Sequence, residues 1–118
     1  MTEDFRGLLA YQKSYSNVLD IYKVSANFPK EETYGIKSQI RRAAVSVALN
    51  IAEGYGRKTN PHDYKNFLII SKGSNNEVQV LLEICKDLGY ISQELSDEMI
   101  KRSDEAARLI QGLIKTLK

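Results

Sequence analysis

The chain predicts an all-α fold, an antiparallel up-down-up-down four-helix bundle in a single domain over residues 1–118. Three observations predict it. Apolar residues recur at three- and four-residue steps through four long segments, the mark of one helical face. Stop and start signals separate those segments by short links, and short links place sequence neighbours antiparallel. No strand-like alternation, internal repeat or low-complexity stretch interrupts the pattern. A chain of 118 residues buries about two-thirds of its unfolded surface, enough for one core without disulfide or metal staples.

The helices are expected at about 7–26, 32–55, 61–88 and 93–117. Leu8, Tyr11, Tyr15, Val18 and Tyr22 form the face of the first. Asn27-Phe28-Pro29 ends it, because the residue before a proline disfavours the α region. Gly54 and Gly56 supply the stop of the second helix. Asn60-Pro61 starts the third: asparagine caps, and proline at the first helical position has no amide to leave unpaired. Asp63 then lies in the first turn, where the helix dipole favours an acid. The third helix carries Tyr64, Phe67, Ser71, Ser74, Val78, Leu81, Cys85 and Leu88 on one face, and Gly89 closes it. Ser92 caps the fourth, whose stripe is Leu95, Met99, Ala106, Ile110, Leu113 and Leu117. Both prolines fall at helix boundaries, so the helix interiors stay unbroken.

Hydrophobic residues make up 42% and charged residues 27%, ordinary for a globular protein. No apolar run approaches the ~20 residues of a membrane span. Met1-Thr-Glu-Asp-Phe-Arg6 lacks the basic and apolar regions of a signal peptide, so a cytoplasmic location is expected. The net charge is +2, unevenly spread. Residues 37–72 hold seven basic side chains (Lys37, Arg41, Arg42, Arg57, Lys58, Lys65, Lys72) and two acidic ones (Glu53, Asp63), a net +5. The remainder holds ten basic and thirteen acidic, a net −3. Such a middle can bind an anionic partner, or it can be a chance clustering of surface charge.

The second helix has more apolar surface than a bundle face needs. Ile40, Ala44, Val47 and Ile51 form its core stripe, and Arg42, Ser46, Asn50, Glu53 and Arg57 the polar stripe opposite. Ala43 lies between them on one side, and Val45, Ala48, Leu49 and Ala52 on the other. The weakly polar arc spans about 240°, against about 100° for a single buried face. In a four-helix protein of this size every helix is partly at the surface. The missing cover is then a second copy, so a homo-oligomer is expected, with Val45, Ala48, Leu49 and Ala52 at its interface. Alanines that are there only as good helix formers are the alternative.

Glu77 shares a third-helix stripe with Ile70, Gly73, Val80 and Ile84, which predicts partial burial. A buried carboxylate needs a partner. Arg41 or Arg42 would serve, and Arg41, Arg42, Glu53 and Glu77 are read as structural polar pairs. A helix-interior glycine is about 1 kcal/mol less favourable than alanine. Gly73 and the small Ser74 therefore predict a close approach of another helix.

Enzyme motifs fail one by one. A di-iron bundle needs Glu-x-x-His on two helices, and the one histidine, His62, has no such partner. The same shortage removes a histidine-rich zinc site and a Ser-His-Asp triad. Cys85 falls on the core stripe and reads as a small hydrophobe. Gly54-Tyr-Gly-Arg-Lys58 lacks the P-loop pattern. Its Arg57 and Lys58 can meet phosphates while Tyr55 stacks on a base, or the loop can simply be solvated. No catalytic residue, cofactor or metal is expected.

A further pattern runs through the chain: Phe28-Pro29, Glu32, Tyr34-Gly35, Gln39-Ile-Arg-Arg-Ala-Ala44, Ser46, Asn50-Ile-Ala-Glu-Gly54 and Arg57. It continues with Phe67-Leu68, Gly73-Ser74, Glu77 and Leu88-Gly89-Tyr90. On these residues, from about Leu9 to Leu117, the chain resembles the 23S rRNA intervening-sequence protein family, also called the four helix bundle protein family. It departs from the family at Tyr11, where tryptophan is common, and at Ser71 and Asn75, where alanine and an apolar residue are commoner. The resemblance implies an up-down bundle assembled as a ring-shaped homopentamer in a bacterium. Some members are encoded inside insertions in 23S rRNA genes. Related accessory proteins of diversity-generating retroelements bind nucleic acid and partner a reverse transcriptase. The resemblance implies no enzymatic activity.

The function expected is therefore a homo-oligomeric bundle binding RNA or DNA through Lys37, Arg41, Arg42, Arg57, Lys58, Lys65 and Lys72. The alternative is an assembly or adaptor module whose partner is a reverse transcriptase or another protein.

Overall fold

The computed structural model describes residues 4–117 and consists of four helices. A 3-10 turn at Phe5–Gly7 leads into α1 (Leu9–Ser25). A second, at Lys30–Glu32, precedes α2 (Ile36–Tyr55); α3 (Pro61–Asp87) and α4 (Gln93–Lys115) follow. No strand occurs among the described residues. Each helix packs on its neighbours in sequence, and α4 returns to α1 to close the bundle. The 27 residues of α3 span about 40 Å at 1.5 Å each, close to the molecule's 44 Å long axis.

The expected caps form where the chemistry placed them. Asn60 accepts from the Asp63 amide at 3.2 Å, with Pro61 opening α3. Ser92 accepts from the Leu95 amide at 3.0 Å. Gly89, at φ +80°, lets the Tyr90 amide donate to the Cys85 carbonyl and its own amide to that of Lys86. That pair of bonds satisfies the last carbonyls of α3.

Both ends of α2 differ from expectation. The second helix begins at Ile36, not near residue 32. Pro29 sets a 3-10 turn first, and the Glu32 side chain then reaches forward to cap the helix. The stop at Gly54 and Gly56 also works differently. Gly56 takes an ordinary right-handed conformation, and Gly54 is buried inside α2. A β-carbon at Gly54 would stand 2.9 Å from Phe67 Cβ and 3.0 Å from Tyr64 Cδ1. Gly54 is thus the close-approach glycine. Gly73 is not: nothing lies within 4 Å of where its β-carbon would be.

The α2–α3 seam is lined by small and hydroxyl side chains. Ser71 donates to the Val47 carbonyl at 2.7 Å, and the Ser46 and Ser74 hydroxyls meet at 2.8 Å. Asn50 donates to the Ser46 carbonyl and hydroxyl. The α2 core stripe is as expected: Ile40, Ala44, Val47 and Ile51 are all buried. So are Met99, Ala106 and Ile110 of α4.

The α1 face is rotated from the tyrosine stripe. Ala10, Ser14, Ile21 and Ser25 are buried, while Tyr15 and Tyr22 stand half out. Small side chains let α1 sit close, and the rings are displaced to its edges. On α3, Asn75 is buried and donates to the Ser103 carbonyl of α4 at 2.8 Å. The Ile70, Gly73, Glu77, Val80 and Ile84 stripe, expected to be partly covered, faces outward.

Glu32 ties the start of α2 to the α3–α4 turn. Its Oε2 accepts from the Tyr90 hydroxyl at 2.7 Å, and its Oε1 from the Ile36 amide at 3.1 Å. The Tyr90 bond first, then the Ile36 bond, favours the carboxylate and holds its pKa below the ordinary 4.5. Such a group adds stability above its unfolded pKa, and that stability is lost as pH falls through the lower folded value. Tyr90→Phe should therefore melt below the native protein at neutral pH. The gap should narrow as pH drops from about 4.5 through the folded Glu32 pKa. Circular-dichroism melts at stepped pH measure this, and a gap independent of pH would show the bond to be idle.

Candidate nucleic-acid interface

The seven basic residues do not form one patch. Lys37, Arg41 and Arg42 gather at the start of α2, where with Tyr22 and Tyr34 they line an open groove of about 410 Å³. Arg57 and Lys58 stand past the other end of α2, with Lys65 nearby on α3. Fifteen residues separate Arg42 from Arg57, about 22 Å of helix. Lys72 reaches to α4, donating to Gln111 Oε1 at 2.7 Å.

Their environments differ. Arg41 is committed to the fold: it donates to Ser25 Oγ at 2.7 Å and the Tyr22 carbonyl at 3.1 Å. Its guanidinium also lies 4.3 Å over the Tyr22 ring, a cation–π contact that locks the α1–α2 edge. Arg57 meets Glu53 at 3.6 Å and lies over the Phe67 ring at 5.0 Å. Lys58 donates to the Tyr55 hydroxyl at 2.9 Å and sits over the same ring at 4.2 Å. Lys37, Arg42 and Lys65 have no ion pair among the described residues.

The pairing expected of Glu77 with Arg41 or Arg42 does not form. Glu77 is exposed on the outer side of α3, so it needs no buried partner, and Arg41 turns the other way to α1. Glu53 does pair, but along its own helix. Of the expected interface residues, Ala48 is already buried within the chain. Val45 and Ala52 are half-buried, and Leu49 is 61% exposed. Sequence reasoning missed the rest of this outer surface: Ile69, Ile70, Val80 and Ile84 of α3 are exposed, and Leu88, expected on the core face, caps α3 half out in solvent. The spacing of Ile70, Val80 and Ile84 is legible in the sequence, but their apolar character predicts partial burial of the stripe with Glu77, whereas all of it is exposed. Tyr34 was missed as a groove residue. The signal was an aromatic outside every helical stripe, directly before a basic helix start.

The core holds a cavity of about 20 Å³, lined by Ser14, Asn75, Ser103 and Arg102 among others. That is room for a water molecule, not for an organic ligand. Burial pushes the Cys85 thiol up to about 11, so it stays protonated at neutral pH. Among the described residues no group of three His, Cys, Asp or Glu side chains is placed to hold a metal. No described helix is long and apolar enough to cross a membrane.

The family model for the 23S rRNA-intervening sequence protein matches residues 6–112. The chain belongs to the 23S rRNA-intervening sequence protein family. A solved structure from Bacteroides thetaiotaomicron VPI-5482, of a protein with unknown function from the S23 ribosomal protein family, superposes with a TM-score of 0.81. It is 25% identical, over 91% of this chain and 96% of the other. No curated protein matches. The segment Asn50-Ile-Ala-Glu-Gly54 has a packing meaning: Asn50 donates back to Ser46 one turn earlier, Ile51 fills the core and Gly54 lets α3 approach.

Proposed function

We propose that this chain is a cytoplasmic, non-enzymatic homo-oligomer that binds RNA or another nucleic acid through the basic ends of α2. The observation that carries the reading is the state of the cations. Among the described residues, only Arg57 of the seven basic residues between Lys37 and Lys72 meets a carboxylate. Outside that segment Arg6, Lys13, Lys86 and Arg102 are paired with carboxylates, a larger share than within it. Unneutralised cations are free to displace counterions from phosphates, the main source of affinity for nucleic acid.

Assembly has its own support. The outer faces of α2 and α3 put Leu49, Ile70, Val80 and Ile84 in solvent. Gly73 lies bare on the same stripe. Covering that face with a second copy buries the apolar residues, and the copy's backbone can approach at Gly73. A ring, pentameric by resemblance, repeats the basic ends around its circumference and raises avidity for a long polyanion. The adaptor reading uses the same outer face, with a different protein as its cover.

A labelled structured RNA should be shifted by the protein at low ionic strength and released steeply as salt rises. Absence of any salt-sensitive shift overturns the nucleic-acid reading. Separately, light scattering at tens of micromolar should give a multiple of the 13.4 kDa chain mass, and Leu49→Glu should return it to the single-chain value. A native monomer, or a mutant that keeps its mass, overturns the assembly as placed.

A further inference from the structure

We propose that the groove between the end of α1 and the start of α2 takes single-stranded nucleic acid, with a base stacked on Tyr34 and flanking phosphates held by Lys37 and Arg42. This rests on the nucleic-acid reading above and names the form of nucleic acid bound.

Tyr34 is 96% exposed, the most exposed large hydrophobic side chain among the described residues. It is not on a loose loop. The Glu32 amide donates to the Pro29 carbonyl and the Gly35 amide to that of Glu32, while the Glu32 side chain caps Ile36 and holds Tyr90. The ring therefore projects from anchored backbone, so ordering it on a ligand loses little entropy. Other tyrosines at the helix ends are already covered: Tyr22 by Arg41 and Tyr55 by Lys58. Both faces of Tyr34 are open.

Three cations share the groove with that ring, and no carboxylate lines it. Arg41 is spent on Tyr22 and Ser25, where it stiffens the wall. Among the described residues Lys37 and Arg42 carry no ion pair, so they remain for phosphates. An open aromatic face beside unpaired cations is how single strands are held without sequence readout: bases stack and phosphates are neutralised. A duplex keeps its base faces stacked inside and can use only the cations. An acidic peptide would likewise leave the ring unused.

The test is fluorescence anisotropy at fixed low salt with a short labelled single-stranded RNA, the duplex of the same length, and inorganic polyphosphate as competitor. The native protein should prefer the single strand, and polyphosphate should compete poorly. Tyr34→Ala should weaken single-strand binding about 5- to 150-fold and leave the duplex unchanged, while Tyr34→Phe keeps the affinity. Lys37→Gln with Arg42→Gln should lower the slope of log affinity against log salt by about 1.4. The Tyr34 ring is 96% exposed, so its variants should keep the native structure. If RNA binds but Tyr34→Ala binds it as tightly as the native protein, or polyphosphate competes equally, this site is wrong and the general reading stands. If the native protein binds neither strand form, both fall.

Discussion

Gly54 sets the distance between α2 and α3, and most of the architecture follows from that distance. With no β-carbon there, Phe67 and Tyr64 press directly on the α2 backbone. The two helices then come close enough for Ser71 to reach the Val47 carbonyl and for Ser46 to meet Ser74. Each of these groups would be an unpaired buried or half-buried hydroxyl at a wider spacing, which is unfavourable by about 1–3 kcal/mol apiece. Larger side chains would hold the helices apart. The seam therefore works as a unit, small side chains and hydroxyls together.

That seam fixes which residues are left outside. With Ser46 meeting Ser74 of α3 and Arg41 turned toward α1, the outer flank of α2 beside the seam presents Arg42, Val45 and Leu49, exposed or half-buried. The same rotation on α3 sends Ile70, Val80 and Ile84 outward. An apolar outer face and two separated basic ends are thus consequences of one packing choice. Arg41 shows how the division works at a single residue: it is engaged by Ser25 and Tyr22, whereas Arg42, one step along the helix, has no ion pair among the described residues.

The helices, their caps and their core stripes were legible because they depend on local chemistry. Asn60, Ser92 and Gly89 act through backbone groups a few residues away, and the 3.6-residue period places Ile40, Val47 and Ile51 inward. What was not legible depends on helix rotation about its own axis. Gly54 and Gly73 look alike in sequence, yet one is against a neighbouring helix and the other is bare. Glu77 and the α1 tyrosines lie on stripes whose inward or outward sense only packing decides. The cations were identified as a set, but a run of basic residues along a helix says nothing of its division between two ends. That the Tyr34 ring remains uncovered is a matter of packing, which no local rule fixes.

The most direct test of the packing account is Gly54→Ala, read by chemical denaturation. Helix propensity alone favours alanine by about 1 kcal/mol inside a helix. Overpacking at a close crossing opposes it by about 1–3 kcal/mol. The β-carbon would come within 3.2 Å of the Tyr64 carbonyl oxygen, a backbone atom that cannot rotate away. The account predicts a lowered unfolding midpoint at unchanged slope. A midpoint raised by the full helix-propensity gain would show that α2 and α3 have room to spare, and would contradict it.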